Sequence, residues 1–221
     1  KALGDPAAEL TGKWKEWIEL HRERSELIKV QCERLQTLSG GAFRAQAKPC
    51  GDPEPIKRAL SKCFAGKNIK KADEKIDALA DAIVGSEDPL KMWFDLAGEL
   101  ESLFQLRESK TLADTPILEK ALLSRQNRTS LQEGLTTEAV LELKLTALED
   151  SPKFEFRTGP DRYITFAQAS SGQQATSLLK VLLNQDGPPL LIDQPEEDLD
   201  NEVIQEIATD IWDTKSKRQL I

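Results

Sequence analysis

Two stretches of the chain carry residue types suited to phosphate and metal chemistry. Ser170, Ser171, Gly172 and Gln173 open a pattern in which Ala175, Leu178, Leu179, Leu182 and Leu183 recur at helical spacing. A serine cap leaves free N–H groups in the first turn, and these amides at the positive end of the helix dipole favour an anion. Gly172 lets phosphates approach the backbone, while the two hydroxyls and the amides of Gln173 and Gln174 add donors. Further along, the apolar run Leu190, Leu191, Ile192 ends in Asp193, a carboxylate of the kind that holds Mg²⁺.

The elements that must position these groups are legible around them. Residues 184–189 are rich in turn formers, and Leu190–Ile192 suits a strand buried on both faces of a parallel sheet. The carboxyl ends of such strands form the ligand crevice, which puts Asp193 where it can hold Mg²⁺, usually through water. After Pro195 the chain turns through Leu199, Asp200 and Asn201, and Asp200 or Asn201 caps a second amphipathic helix. That helix carries Val203, Ile204, Ile207, Ala208, Ile211 and Trp212 on one side, and Lys217–Ile221 begins another strand.

Ser170–Gln173 resembles the signature motif of ABC-type ATPases, and Leu190–Asp200 resembles their Walker B strand and D-loop. Over residues 150–221 the chain looks most like the TrlF-type large ATPases, which join an SMC-like ATPase to an N-terminal PHP phosphoesterase domain. The resemblance implies ATP and Mg²⁺ as ligands and a homodimer in which two heads sandwich ATP head to tail. It makes Ser170 and Gly172, with Ser171 and Gln173 beside them, the trans-acting contacts to the γ-phosphate. It also makes Asp193 the magnesium carboxylate and Asp200 a D-loop residue at the dimer interface.

One position departs from the family pattern. Most relatives have a glutamate after the Walker B aspartate to polarise water, and this chain has Gln194. An amide orients water but accepts no proton, an expected loss of about 10²–10⁴-fold. Glu196 or Glu197 supplies the missing carboxylate, or both are solvated turn residues. No Gly-x-x-x-x-Gly-Lys-Ser/Thr occurs, and the only histidine, His21, lies far from the position of the relatives' switch histidine. The expectation is therefore a piece of a larger ATPase, inactive in isolation, with the phosphate loop upstream and the histidine downstream.

Composition fits a soluble cytoplasmic location. The chain has 221 residues, 39% of them apolar, and no stretch long enough for a membrane span. Its three cysteines, Cys32, Cys50 and Cys63, form no Cys-x-x-Cys pair, which suits free thiols in a reducing compartment. The net charge is −8, and residues 186–213 contain acidic residues but no Lys or Arg. Such a stretch repels phosphate unless Mg²⁺ and basic groups from elsewhere offset it. Lys62, Lys67, Lys70 and Lys71 form a basic cluster without interleaved aromatics, read as a charged helical surface rather than a nucleic-acid site.

Residues 1–150 read as a mainly helical region. From Pro6 to Leu38 a long pattern places Trp14, His21, Ile28 and Leu35 seven apart, with Ile18, Ser25 and Cys32 between them. It suits a coiled-coil arm or a long helix packed in a globular bundle, and His21 belongs to its packing seam. Ser39, Gly40 and Gly41 end this helix, and residues 39–72 are less regular. Ile76 to Val84, Trp93 to Phe104 and a stretch opened by Pro116 give further helices with apolar stripes. Residues 153–157 and 162–167 form a hairpin around Thr158–Asp161, leading into the Ser170 helix.

The expected fold is α/β, with a helical region over 1–150 and part of an ABC-type ATPase lobe over 151–221. Two functions follow. One is a subdomain of a dimerising ATPase, with nucleic acid as a partner of the full protein and a role in nucleic-acid metabolism or phage defence. The other is a non-catalytic helical interaction module that keeps an ATPase-like segment as scaffold.

Overall fold

The computed structural model describes residues 6–109, 111–121, 123–194 and 203–221. The chain is mixed α/β, mainly helical with one small three-stranded sheet. It divides into two compact units, one of residues 1–21 and 49–151, the other of residues 22–48 and 152–221.

The first unit is helical. Helix α1 (Pro6–Leu38) contributes its first part, and the first strand, β1 (Phe43–Asp52), leads into α2 (Glu54–Phe64) and α3 (Ala72–Val84). Then come α4 (Pro89–Gln105), α5 (Pro116–Lys120), α6 (Arg125–Gly134) and α7 (Thr137–Leu145). Spacing explains the core: α2 buries Ile56, Ala59, Leu60, Cys63 and Phe64, and α4 buries Trp93, Leu96, Ala97, Leu100 and Leu103. Local signals set the helix starts. Asp88 accepts a hydrogen bond from the Lys91 amide at 3.0 Å with Pro89 following, and Ser124 and Thr136 cap α6 and α7 in the same way.

The seam of α1 packs here through Trp14, Trp17 and Ile18, with Phe94 4.5 Å from the Trp14 ring and 5.5 Å from Trp17. His21 is buried with its ring 3.9 Å from Trp17, a packing position as expected. A polar cluster ties α5 and the preceding Thr115 to α4 and α6. Glu99 accepts the Ile117 and Leu118 amides at 2.6 and 2.9 Å, and Arg128 donates to Thr115 at 3.0 Å and to Glu119 at 3.1 Å.

The second unit holds residues 43–48 and 152–165 of the sheet. Gly40 and Gly41, at φ +61° and +77°, end α1, where the left-handed region suits glycine. Sheet order is β1, β2 (Glu149–Gly159), β3 (Arg162–Thr165). Strands β2 and β3 are antiparallel, with Glu155 opposite Thr165 and Arg157 opposite Tyr163, and an irregularity near Gly159 at the turn. The hairpin is as expected, but β1 was not legible. Pro49 and Gly51 punctuate it, and Cys50 takes φ +49°, which an edge strand tolerates because one side needs no ladder.

One sheet face is apolar. Phe43 and Ala45 pack with Val181, Cys32, Ile28 and Leu35, and Phe43 contacts Phe154 and Phe166 at ring distances of 6.2 and 6.3 Å. Past β3, a short 3₁₀ turn at Phe166–Gln168 leads into α8 (Ser171–Asn184), and α9 (Ile204–Thr214) packs against α8. Among the described residues, no helix is long and apolar enough to cross a membrane.

Candidate functional site

Helix α8 begins where the sequence places it. Ser170 is the N-cap: its Oγ accepts the Gln173 amide at 3.2 Å, and Gln173 Oε1 accepts the Ser170 amide at 3.0 Å, a closed capping box. Ser170 and Ser171 are exposed, Gly172 and Gln173 half-buried. Gln174 turns inward and donates to the Phe166 and Ala169 carbonyls at 2.9 and 3.0 Å, so it fixes the approach to the helix rather than facing a ligand. The cap uses a lone pair of Ser170 and leaves its O–H free to donate, and the first-turn amides of Ser171 and Gly172 have no acceptor among the described residues.

The buried face of α8 differs from expectation. Thr176, Ser177, Val181 and Leu183 are buried, whereas Leu178 and Leu182 are 52% and 43% exposed. The hydroxyls of Thr176 and Ser177 bond back to the carbonyls of Gly172 and Gln173 at 2.8 and 3.0 Å. Each polar group is thereby satisfied within the helix, so these residues can line the packed side in place of leucines.

The Leu190–Ile192 run also differs. It forms a parallel bridge, Leu190 to Leu220, with the Leu190 amide donating to Gln219 at 3.0 Å and the Ile192 amide to Ile221 at 2.9 Å. The expectation of a strand buried on both faces is corrected, since Leu191 is 73% exposed and Ile192 half-buried. A parallel strand becomes buried only where strands flank it and helices cover both faces. Among the described residues this run has one paired neighbour, 219–221.

Asp193 and Gln194 follow the bridge directly, both exposed, with Gln194 at φ +44°. The Asp193 carboxylate makes no hydrogen bond or ion pair among the described residues, and none joins it to Ser170–Gln173. Its donor type suits a magnesium ion held largely through water. Among the described residues no group of three or more His, Cys, Asp or Glu side chains gathers into a cage. Glu196, Glu197 and Asp200 lie outside the described residues.

Two cations reach the acidic stretch from its flanks, which sequence spacing did not reveal. Lys180 of α8, its side chain 11% exposed, pairs with Glu206 at 2.5 Å. Burial raises the Asp210 carboxyl above its ordinary value, against the pull of Lys180. Arg218 gathers the end of α8 and the following turn, donating to the carbonyls of Leu182 at 2.9 Å, Gln185 at 3.2 Å and Pro188. Its one sequence signal is its place just before the returning strand, where a cation can meet helix-end carbonyls. Thr214 completes the join, with its Oγ1 donating to the Leu183 carbonyl at 3.2 Å.

The second unit thus presents a capped helix start with two amides that find no acceptor among the described residues, an isolated parallel bridge with α9 between its two ends, and beyond the bridge the exposed Asp193 carboxylate. Compared with known family models, curated proteins and solved structures, the chain matches none.

Proposed function

We propose that residues 150–221 are part of an ATP-binding and ATP-hydrolysing head of the ABC and SMC-like kind, whose two copies close around ATP in the full protein. The observation that carries this reading is the parallel bridge between Leu190 and Leu220, spanned by α9, with Asp193 directly beyond it. Strand, crossover helix and parallel return make the unit on which α/β nucleotide sites are built, with the ligand at the strands' carboxyl ends. The exposed start of α8 adds the anion-binding half of such a site.

On this reading the Ser170 hydroxyl donates to a phosphate oxygen while the capping box holds it in place. The amides of Ser171 and Gly172 do the same from the backbone, and Gln173 keeps its NH₂ available as a further donor. Asp193 is the carboxylate that holds Mg²⁺, and Asp200 belongs to the interface between heads. Bound Mg²⁺ would neutralise phosphate charge, which matters beside so acidic a stretch. Gln194 orients a water without taking its proton, so turnover is slow unless Glu196 or Glu197 serves as base. Lys180 and Arg218 are engaged with Glu206 and backbone carbonyls, so they hold the scaffold and leave phosphate binding to the amides.

In the full protein, Mg²⁺-dependent ATP hydrolysis and ATP-driven dimerisation are expected, and Ser170→Arg should abolish both while leaving the circular dichroism spectrum unchanged. ATP-driven dimerisation that survives Ser170→Arg would sink the shared-site mechanism. Unchanged turnover in both Glu196→Gln and Glu197→Gln would remove them as bases. A second reading, a non-catalytic scaffold, is favoured by Gln194 at the base position and by the lack of a phosphate-cradling loop in these 221 residues. It predicts no hydrolysis in the full protein.

A further inference from the structure

We infer that the uncovered face of the three-stranded sheet is a binding surface for single-stranded nucleic acid. The pleat sends Phe43, Ala45, Phe154 and Phe156 to one face and Arg44, Gln46, Lys48, Lys153, Glu155, Arg157, Tyr163 and Thr165 to the other. Helices pack on the first face. On the second, Gln46, Lys48, Lys153, Arg157 and Thr165 are exposed.

The charge of this surface opposes that of the chain. Of the residues on this face, four are basic (Arg44, Lys48, Lys153, Arg157) and one is acidic (Glu155), a surplus of three positive charges on a chain of net −8, while Asp52, Glu149 and Asp150 lie at the other end of β1 and β2. Glu155 anchors the centre: it is 9% exposed, takes Arg44 Nε at 2.7 Å and Lys153 Nζ at 2.7 Å, and these cations hold its carboxyl below the ordinary value. Two cations are thereby fixed side by side, with Lys48 and Arg157 flanking them.

Arg44 also lies over Tyr163, its guanidinium carbon 4.3 Å from the ring centroid. Guanidinium planes and aromatic rings are the surfaces on which unpaired bases stack, and cationic side chains track the backbone. Arg44 to Lys48 and Lys153 to Arg157 each span about 13 Å at the rise of a strand, giving short cationic rows on the adjacent strands β1 and β2, with Tyr163 on β3 beside them. An acidic peptide would use the charges but not the stack. The charges and the stack engage backbone phosphates and bases, which DNA and RNA share, so both kinds of strand are bound.

None of these residues belongs to the proposed nucleotide site, and binding is measured without ATP, so failure here leaves that proposal standing. The experiment is fluorescence anisotropy of the whole chain with labelled oligo-dT and oligo-rU of fifteen nucleotides, with polyglutamate as competitor. Saturable binding of both is expected, weakening about 20-fold between 50 and 200 mM salt, as about three released counterions dictate. Lys48→Glu with Arg157→Glu should weaken it at least tenfold. Lys70→Glu with Lys71→Glu should leave it unchanged, and Tyr163→Leu should weaken oligonucleotide binding without affecting polyglutamate.

Absence of binding at 50 mM salt, indifference to the sheet reversals, or equal competition by polyglutamate overturns the inference. Should the reversal variant not fold, lysine acetylation of the wild-type chain decides. Oligonucleotide must protect Lys48 and Lys153 but not Lys70, and equal labelling with and without it is a negative result.

Discussion

The two units are built on opposite plans. The first surrounds Trp93, Leu60, Leu96, Leu100, Leu103, Leu131 and Leu143 with helices, all of them essentially inaccessible, and holds Glu99 and Arg128 in internal hydrogen bonds. The second has a thin core around Phe43, Ala45, Cys32 and Val181, and leaves Phe154, Leu178, Leu182, Leu191 and Trp212 exposed. Buried area dominates stability, so the first unit holds itself together by its interior. The features in the second that suit ligands, the α8 amides, Asp193 and the cationic sheet face, all point outward, where packing energy cannot come from them.

Alanine truncations in the two cores should separate the plans most clearly. Leu100→Ala in α4 removes a side chain with no exposed surface and should cost about 2–5 kcal/mol. Val181→Ala in α8, at 7% exposure in the thin core, removes two methyl groups and should cost about 1–2 kcal/mol. Urea unfolding followed by the fluorescence of Trp14, Trp17 and Trp93 reports the first unit, and Trp212 the second. Costs of equal size in the two places would erase the difference in core density.

Acidity should move the units in opposite directions. Burial raises Glu99 above the ordinary carboxylate value, with its two backbone donors opposing only in part. The folded first unit therefore holds this proton more tightly than the unfolded chain. Its contribution is complete below the ordinary value and falls as pH rises through the raised one. Glu155 is the reverse: Lys153 and then Arg44 lower it, so its contribution is present above the ordinary value and lost as pH falls through the lowered one. Difference curves of unfolding free energy against pH, wild type minus Glu99→Gln and wild type minus Glu155→Gln, should slope oppositely. At neutral pH Glu99→Gln should cost about 1–3 kcal/mol, because an amide NH₂ then faces a buried backbone N–H. Curves of the same slope would refute the assignment.

Cap removal is a smaller test. Ser124→Ala in α6 and Ser170→Ala in α8 each delete one accepted amide, at 3.2 Å in both, and each should cost about 1 kcal/mol. Amide exchange separates them. Opening should spread from residue 171 along α8 into the thin core, whereas α6, fixed by Arg128 and Gln132, should stay protected beyond its first turn. Equal spreading would mean that the second unit is as tightly held as the first.

What the sequence disclosed follows the range of each signal. The α8 cap, the hairpin turn near Asp161, the Gly40–Gly41 stop and the stripes of α3 and α4 are local, and the chain writes them within a few residues. Strand β1 was hidden because Ala45 and Ala47 alternate weakly and Pro49 and Gly51 read as loop. That residues 22–48 join the C-terminal unit depends on pairing across more than a hundred residues, such as Arg44 with Glu155, which periodicity does not encode. Within the candidate site, the Ser170 cap and an extended segment at 217–221 were legible, but its parallel pairing with Leu190 was not. The Lys180 and Arg218 contacts were not, since they depend on where backbone carbonyls and a neighbouring helix converge in space.

The smallest expected effect bears most directly on the exposed apolar surface. Leu191 lies between two residues whose amides pair with 219–221, and its apolar neighbours suggested a buried strand, yet its side chain is 73% exposed. Replacing an exposed side chain removes little area from the folded state, so Leu191→Ser should change stability by no more than about 0.5 kcal/mol. The same change at a buried strand position would cost several times that, through lost transfer energy and an unpaired hydroxyl. Urea unfolding read by Trp212 distinguishes the two. A near-zero value fixes 190–192 as a lightly paired segment whose apolar side faces outward, while a cost above about 2 kcal/mol would require a cover over Leu191 and place it within a core.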